Sequence, residues 1–159
     1  MIFVSMKKRG VLRSRRHVMN ENKGSDRVSI EKNVHELYKE LSEKPNQAPE
    51  TAPFFLMKDV FMWSVALGVK KGKRRPLTGN KEQIFRWDQF SQDIDVTALK
   101  VIALAETEDV EILLQEDQIL RIAEEYANEG IREIKFHLVD QPGYSLWNLI
   151  NFVRSNGDQ

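Results

Sequence analysis

Apolar side chains recur at spacings of three and four along most of the chain, which is the period of an amphipathic helix. This pattern predicts an all-α fold, a compact single-domain bundle of five or six helices. One short β-hairpin near residues 77–87 is the only non-helical element that it allows. The predicted helices cover residues 28–44, 54–69, 95–106, 116–128 and a last segment that begins at Ser145.

The segment 54–69 is apolar on all sides, so we expect it to lie at the centre of the bundle. Its aromatic and methionine side chains are typical of core packing. It contains Lys58 and Asp59 and is shorter than the roughly 20 apolar residues that a bilayer requires. A membrane span is therefore not expected.

Glycine and proline residues mark the expected boundaries between helices. Gly130 follows the periodic run 116–128 and predicts the end of that helix. Residues 107–114 fit either a short strand or a helical turn. Residues 131–139 either continue the helix or start another. Three prolines in residues 45–53 predict a surface loop.

The first 27 residues lack an apolar face and carry eight basic side chains against two acidic ones. They predict a disordered basic arm, followed by a single helical domain over residues 28–155. Such an arm either grips a phosphate backbone or is a solvated tail, and both interpretations stay open. The chain has no cysteine and no apolar secretion signal at its start, so we expect a cytoplasmic protein.

Charge is unevenly distributed, although 24 basic and 24 acidic side chains balance. Residues 70–86 carry seven basic and one acidic side chain, whereas residues 87–159 carry five and fifteen. Five cations fall within residues 70–75, in the segment 70–76 that we call the basic loop. This loop either neutralises the phosphates of a nucleic acid or lies against the acidic C-terminal half.

Residues that could carry catalysis are sparse. His17, His35 and His137 are isolated from one another, and none has a second metal ligand at helical spacing. No glycine-rich phosphate-binding motif and no G-x-S-x-G motif is present. We therefore expect no enzymatic activity, no metal and no cofactor.

One minor alternative is a metal-dependent nuclease. The segment 133–135 (Glu-Ile-Lys) matches the end of such a site, and Asp109 or Glu111 would supply the other carboxylate for magnesium. This alternative requires residues 131–139 to form a strand, whereas their apolar spacing is helical.

Four segments together resemble a known family. They are KDVFMWSVALGVKKGKRRPL (58–77), IFRWDQF (84–90), ALAETEDVEILL (103–114) and IAEEYANEGI (122–131). Their order is similar to that of the bacterial DNA phosphorothioation-associated protein 4, or dnd system-associated protein 4, over residues 30–153. The resemblance implies a role beside enzymes that replace a phosphate oxygen of DNA with sulfur, in modification or anti-phage defence. It implies no catalytic residues.

The resemblance and the charge pattern together favour a non-catalytic accessory protein that contacts DNA. Its partners would be DNA and the proteins of the sulfur-modification or restriction system, with no membrane. The alternative is a protein–protein adaptor that uses the acidic surface from Glu106 to Glu133 and makes no DNA contact. The expected nucleic-acid contacts are Lys70, Lys71, Lys73, Arg74, Arg75 and Arg86.

Overall fold

A computed structural model describes residues 26–42 and 48–157. These residues form five α-helices and a two-stranded sheet, which confirms the mostly helical bundle. Short 3₁₀ or π-helical turns adjoin several of the helices. The elements are β1 (Arg27–Glu31), α1 (His35–Leu41), α2 (Met57–Lys71), β2 (Lys81–Arg86), α3 (Thr97–Thr107), α4 (Glu116–Ile134) and α5 (Ser145–Gly157).

The sheet corrects the prediction for residues 28–31, which were expected to be helical. They lie in β1, which pairs antiparallel with β2 in a register that joins Glu31 to Lys81. Val28 and Ile30 alternate along the strand and are both buried. The second strand lies within the segment 77–87, as expected, but its partner is distant in sequence, so the predicted hairpin is wrong.

The predicted arm and loop are only partly described. Residues 1–25 of the arm and residues 43–47 of the proline-containing segment lie outside the described residues. Asp26 and Arg27 lead into the sheet. The remainder of the arm, and the domain boundary drawn from it, stay predictions.

Helices α2 and α4 form the most extensive interface in the described chain. A Cβ atom at Gly68 would lie 2.1 Å from the carbonyl oxygen of Tyr126, and one at Gly130 would lie 1.7 Å from that of Ser64. The two backbones therefore approach closely only because both positions are glycine. The sequence predicted that Gly130 ends this helix, but Gly130 lies inside α4.

The sequence left two interpretations open for residues 107–114 and for residues 131–139, and the structure decides both. Residues 110–114 form a 3₁₀ turn, so the ambiguous segment is helical and not a strand. Residues 135–139 continue α4 as a π-helical turn.

Three aromatic rings pack against one another in the core, with centroids 5.2–6.0 Å apart: Phe61, Phe85 and Phe90. This packing fixes the return of the chain after the basic loop.

Candidate nucleic-acid interface

The segment called the basic loop overlaps the end of α2: Lys70 and Lys71 lie in the last turn of the helix, and the loop proper starts at Gly72. Gly72 adopts a left-handed conformation (φ 67°), which a residue with a side chain rarely adopts. The N–H of Gly72 donates to the Val69 carbonyl at 2.9 Å, and that of Lys73 donates to the Gly68 carbonyl at 3.2 Å. The chain thereby reverses at the end of α2 and crosses α4.

Helix α4 holds the backbone of the loop. The N–H of Arg75 donates to the carbonyl of Glu125 at 3.0 Å. The Asn128 amide donates to the carbonyls of Arg75 and Pro76 at 3.2 and 3.3 Å. Polar residues at spacings of three and four make these contacts and the ion pairs described below. We call them the α4 polar stripe: Glu125, Asn128, Glu129, Arg132 and Glu133.

One buried carboxylate organises three cations of the loop. The Glu129 side chain is 2% exposed, whereas those of its three partners are 41–56% exposed. Hydrogen bonds from Lys71 and Arg75 lower the pKa of Glu129 to about 2, so it is ionised at neutral pH. Its oxygens lie 2.8 Å from Lys71 Nζ, 3.6 Å from Lys73 Nζ and 2.7 Å from Arg75 Nε.

Arg74 turns the other way and joins three elements. Its guanidinium contacts Glu106 at the end of α3 (Nη1, 2.7 Å) and Glu125 on α4 (Nε, 3.0 Å, and Nη2, 2.7 Å). The Tyr126 hydroxyl donates to Glu106 at 2.6 Å, and burial together with this bond raises the pKa of Tyr126 to about 12. The Arg74 side chain therefore clamps the loop to the bundle.

Glu31 fixes the far end of the loop. It accepts hydrogen bonds from the Thr78 N–H at 2.9 Å and from the Asn128 amide at 3.0 Å, and it lies 3.3 Å from Arg132 Nη2. Burial alone would raise the pKa of Glu31, but these partners lower it below its usual value. The end of β1 thus helps to hold both the loop and the α4 polar stripe.

The two remaining predicted contacts lie at the edges of this arrangement. Lys70 Nζ donates to the Asn156 side-chain oxygen at 2.6 Å on the neighbouring α5. Arg86 pairs with Asp26 at 3.0 Å and Asp88 at 3.5 Å. It lies at the opposite end of β2 from Lys81, about 16 Å along the strand, and is not part of the same cluster.

The sequence located the basic loop through its charge but did not single out the residues that hold it. The intramolecular interpretation, in which the loop lies against the acidic half, is confirmed by these ion pairs. The α4 polar stripe was missed. Its pattern E-x-x-N-E-x-x-R-E carries polar groups at helical spacing beside the apolar stripe of α4, and this periodicity was the available indication.

A family model described as DNA sulphur modification system-associated protein 4 matches residues 27–159. The chain belongs to this family. The match covers every described element, including the basic loop and the α4 polar stripe. No curated protein and no solved structure is significantly similar to the chain. The family description associates the protein with a DNA sulphur modification system.

The structure bears on the minor nuclease alternative for this family member. The strand that the alternative required over residues 131–139 is instead helical, from α4 into the π-helical turn. Glu133 binds Lys71 at 2.5 Å, and Lys135 binds Asp140 at 2.6 Å. Within residues 26–42 and 48–157, no group of three or more acidic or histidine side chains is arranged to hold a metal. Within the same ranges, every helix is too short or too polar to span a membrane.

Proposed function

We propose that this protein is a non-catalytic accessory of a DNA sulphur modification system and contacts the DNA backbone through its basic loop. The observation that carries the proposal is the position of Glu129 beneath Lys71, Lys73 and Arg75. The anion is buried and the three cations are half exposed, so solvent meets positive charge.

Ion pairing inside the protein does not cancel this interface. One carboxylate faces three cations, and Glu133 adds a second carboxylate that contacts Lys71 alone of the loop. A phosphate that approaches from solvent therefore meets an excess of positive charge whose geometry is already fixed. Fixed side chains lose little conformational freedom on binding, which favours affinity.

The predicted contacts divide by geometry. Four of them have side chains that face solvent, and we call these the outer set: Lys70, Lys71, Lys73 and Arg75. The Arg74 guanidinium donates hydrogen bonds to Glu106 and Glu125, and in this way it attaches the loop to the bundle. Arg86, at the far end of β2, would reach a separate phosphate.

We expect the double variant Lys70→Gln/Lys73→Gln to lose affinity for duplex DNA. Neither lysine pairs closely with a carboxylate, because Lys70 contacts a neutral amide oxygen and Lys73 lies 3.6 Å from Glu129, so the fold should be retained. Each lost phosphate contact removes about one unit of slope from the dependence of log affinity on log salt, so the slope should fall by about two. Fluorescence anisotropy of a labelled duplex over a salt series measures this change.

The matched control is Lys32→Gln/Arg121→Gln, which removes the same charge from two exposed side chains that form no ion pair with the described residues. It should retain most of the wild-type slope. Equal loss in both double variants, or no binding of the wild type at low salt, would contradict the proposal. A comparison of plain and phosphorothioate duplexes then shows whether sulfur is preferred.

A second candidate function, the protein–protein adaptor, is favoured by a different surface. Several carboxylates of the acidic half are engaged internally, but the 3₁₀ turn before α4 presents Val110 and Leu114 to solvent, the latter 87% exposed. The acidic residues at positions 108, 109 and 111, next to them in the sequence, are also exposed. An apolar centre with a charged rim is the anatomy of a protein interface.

The adaptor function predicts that Leu114→Glu weakens binding to the purified proteins of the modification system by about tenfold or more, since it places a charge at the centre of the patch. Val153→Glu alters another exposed apolar side chain, on α5, and should have little effect. Surface plasmon resonance with immobilised modification proteins provides the measurement. Unchanged affinity of Leu114→Glu would exclude this patch.

A further inference from the structure

A groove of about 770 Å³ lies between the end of α2, the π-helical turn after α4, and α5. It opens beside the basic loop, since Lys70 and Lys71 form part of its wall. The proposed backbone contact does not use the rest of its lining.

The groove has an aromatic wall. The rings of His137 and Phe152 lie 4.5 Å apart between centroids and are inclined by 38°. Phe136 stands edge-on to His137 at 5.0 Å and is 56% exposed. An exposed phenyl ring beside two further rings offers a stacking surface for a planar group.

The other wall is cationic and carries amides. Lys71 Nζ contacts two carboxylates, Glu133 at 2.5 Å and Glu129 at 2.8 Å. Lys70 Nζ contacts the Asn156 side-chain oxygen at 2.6 Å and pairs with no carboxylate of the described residues, so Lys70 supplies the uncompensated positive charge of this wall. The Asn151 side-chain amide makes no hydrogen bond to the described residues and remains available to a ligand. Both a donor and an acceptor are thus present beside the aromatic wall.

We infer that this groove binds a nucleotide, either free or as an unpaired residue of a DNA strand. The base would stack on Phe136, the phosphate would lie against Lys70 and Lys71, and Asn151 would hydrogen-bond the edge of the base. A purely apolar ligand would use neither the positive charge of Lys70 nor the Asn151 amide. The inference shares these two lysines with the proposed function but does not require duplex binding.

In the test, the full chain is titrated separately with each deoxynucleoside monophosphate, with a short single-stranded oligonucleotide and with inorganic phosphate. Each titration is monitored by two-dimensional NMR. We expect nucleotides to shift the amide signals of residues 136, 137, 151 and 152. Loss of one stacking contact weakens binding by about tenfold, so Phe136→Ala should show that change. Trp147→Ala is the matched control, because Trp147 is 54% exposed but does not line the groove.

The titrations also identify the source of the ligand. Binding of monophosphates at millimolar concentration indicates a free nucleotide, whereas binding of the oligonucleotide alone indicates an unpaired residue of a strand. The inference is overturned if neither ligand shifts these signals, if inorganic phosphate shifts them equally, or if Phe136→Ala binds as well as the wild type. Lys73→Gln lies outside the groove and reports on duplex binding, so failure of the proposed function is distinguished from failure of this one.

Discussion

Gly130→Ala should lower the free energy of unfolding by about 4 kcal/mol or more, a large part of the stability of a domain of this size. The added methyl carbon would lie 1.7 Å from the Ser64 carbonyl oxygen and 2.8 Å from the backbone nitrogen of Gly68. Neither atom belongs to a flexible side chain, so α2 and α4 must move apart. Such a separation disturbs the core and weakens the support of the basic loop.

Thermal unfolding measures this effect, and a loss of 4 kcal/mol corresponds to a decrease in Tm of about 15 °C. Gly157→Ala, at the last residue of α5, is the matched control, because a Cβ there would meet no atom within 4 Å beyond its chain neighbours and its own helix backbone. Its Tm should equal or slightly exceed that of the wild type, since alanine favours helix more than glycine does. A decrease of less than about 5 °C for Gly130→Ala would contradict the close approach of the two helices.

Gly130 also illustrates what local patterns cannot reveal. A glycine after a periodic apolar run is a common helix end, and the sequence contains nothing nearby that argues otherwise. The reason for the glycine lies on α2, more than 60 residues away, where the Ser64 carbonyl occupies the space of a side chain. Helix existence followed from periodicity, but the continuation of α4 depended on a tertiary contact.

The secondary structure of β1 was predicted wrongly for a related reason. Val28 and Ile30 are only two alternating positions, and Val34 to Leu41 continue them with helical spacing. The segment is a strand because β2, some 50 residues later, supplies its hydrogen-bond partner. The apolar run of α2 and the stripe of α4, by contrast, were long enough to predict their helices without knowledge of partners.

The candidate site was likewise predictable only where a local pattern was sufficient. Charge density identified Lys70 to Arg75 as one segment, and the acidic half as its possible counterpart. The sequence did not reveal that Glu129 would be buried beneath three cations, because this depends on how α2 crosses α4. Nor did it separate Arg86, which is close in sequence but lies at the other end of β2.

Glu129→Gln should lower the free energy of unfolding by about 2 kcal/mol at pH 7. Removal of a buried charge partner costs about 3–5 kcal/mol when the other partner is also buried, but the lysines and arginine here are half exposed and regain water. Urea denaturation at several pH values measures the difference from the wild type. Glu116→Gln removes an exposed carboxylate from the same helix and should change stability by less than about 0.5 kcal/mol.

The pH dependence gives this prediction its sharpest test. The folded state lowers the pKa of Glu129 from 4.5 to about 2, so its stabilising contribution is complete above pH 4.5 and is lost as the pH falls toward 2. Burial raises the pKa of Glu124 to about 7, so that residue destabilises the fold as the pH rises from 4.5 to 7. Because Glu124 is present in both proteins, the difference between wild type and Glu129→Gln isolates Glu129. A difference that stays constant between pH 5 and pH 2 would mean that the variant loses packing alone, and that the cations of the basic loop are not organised by the charge beneath them.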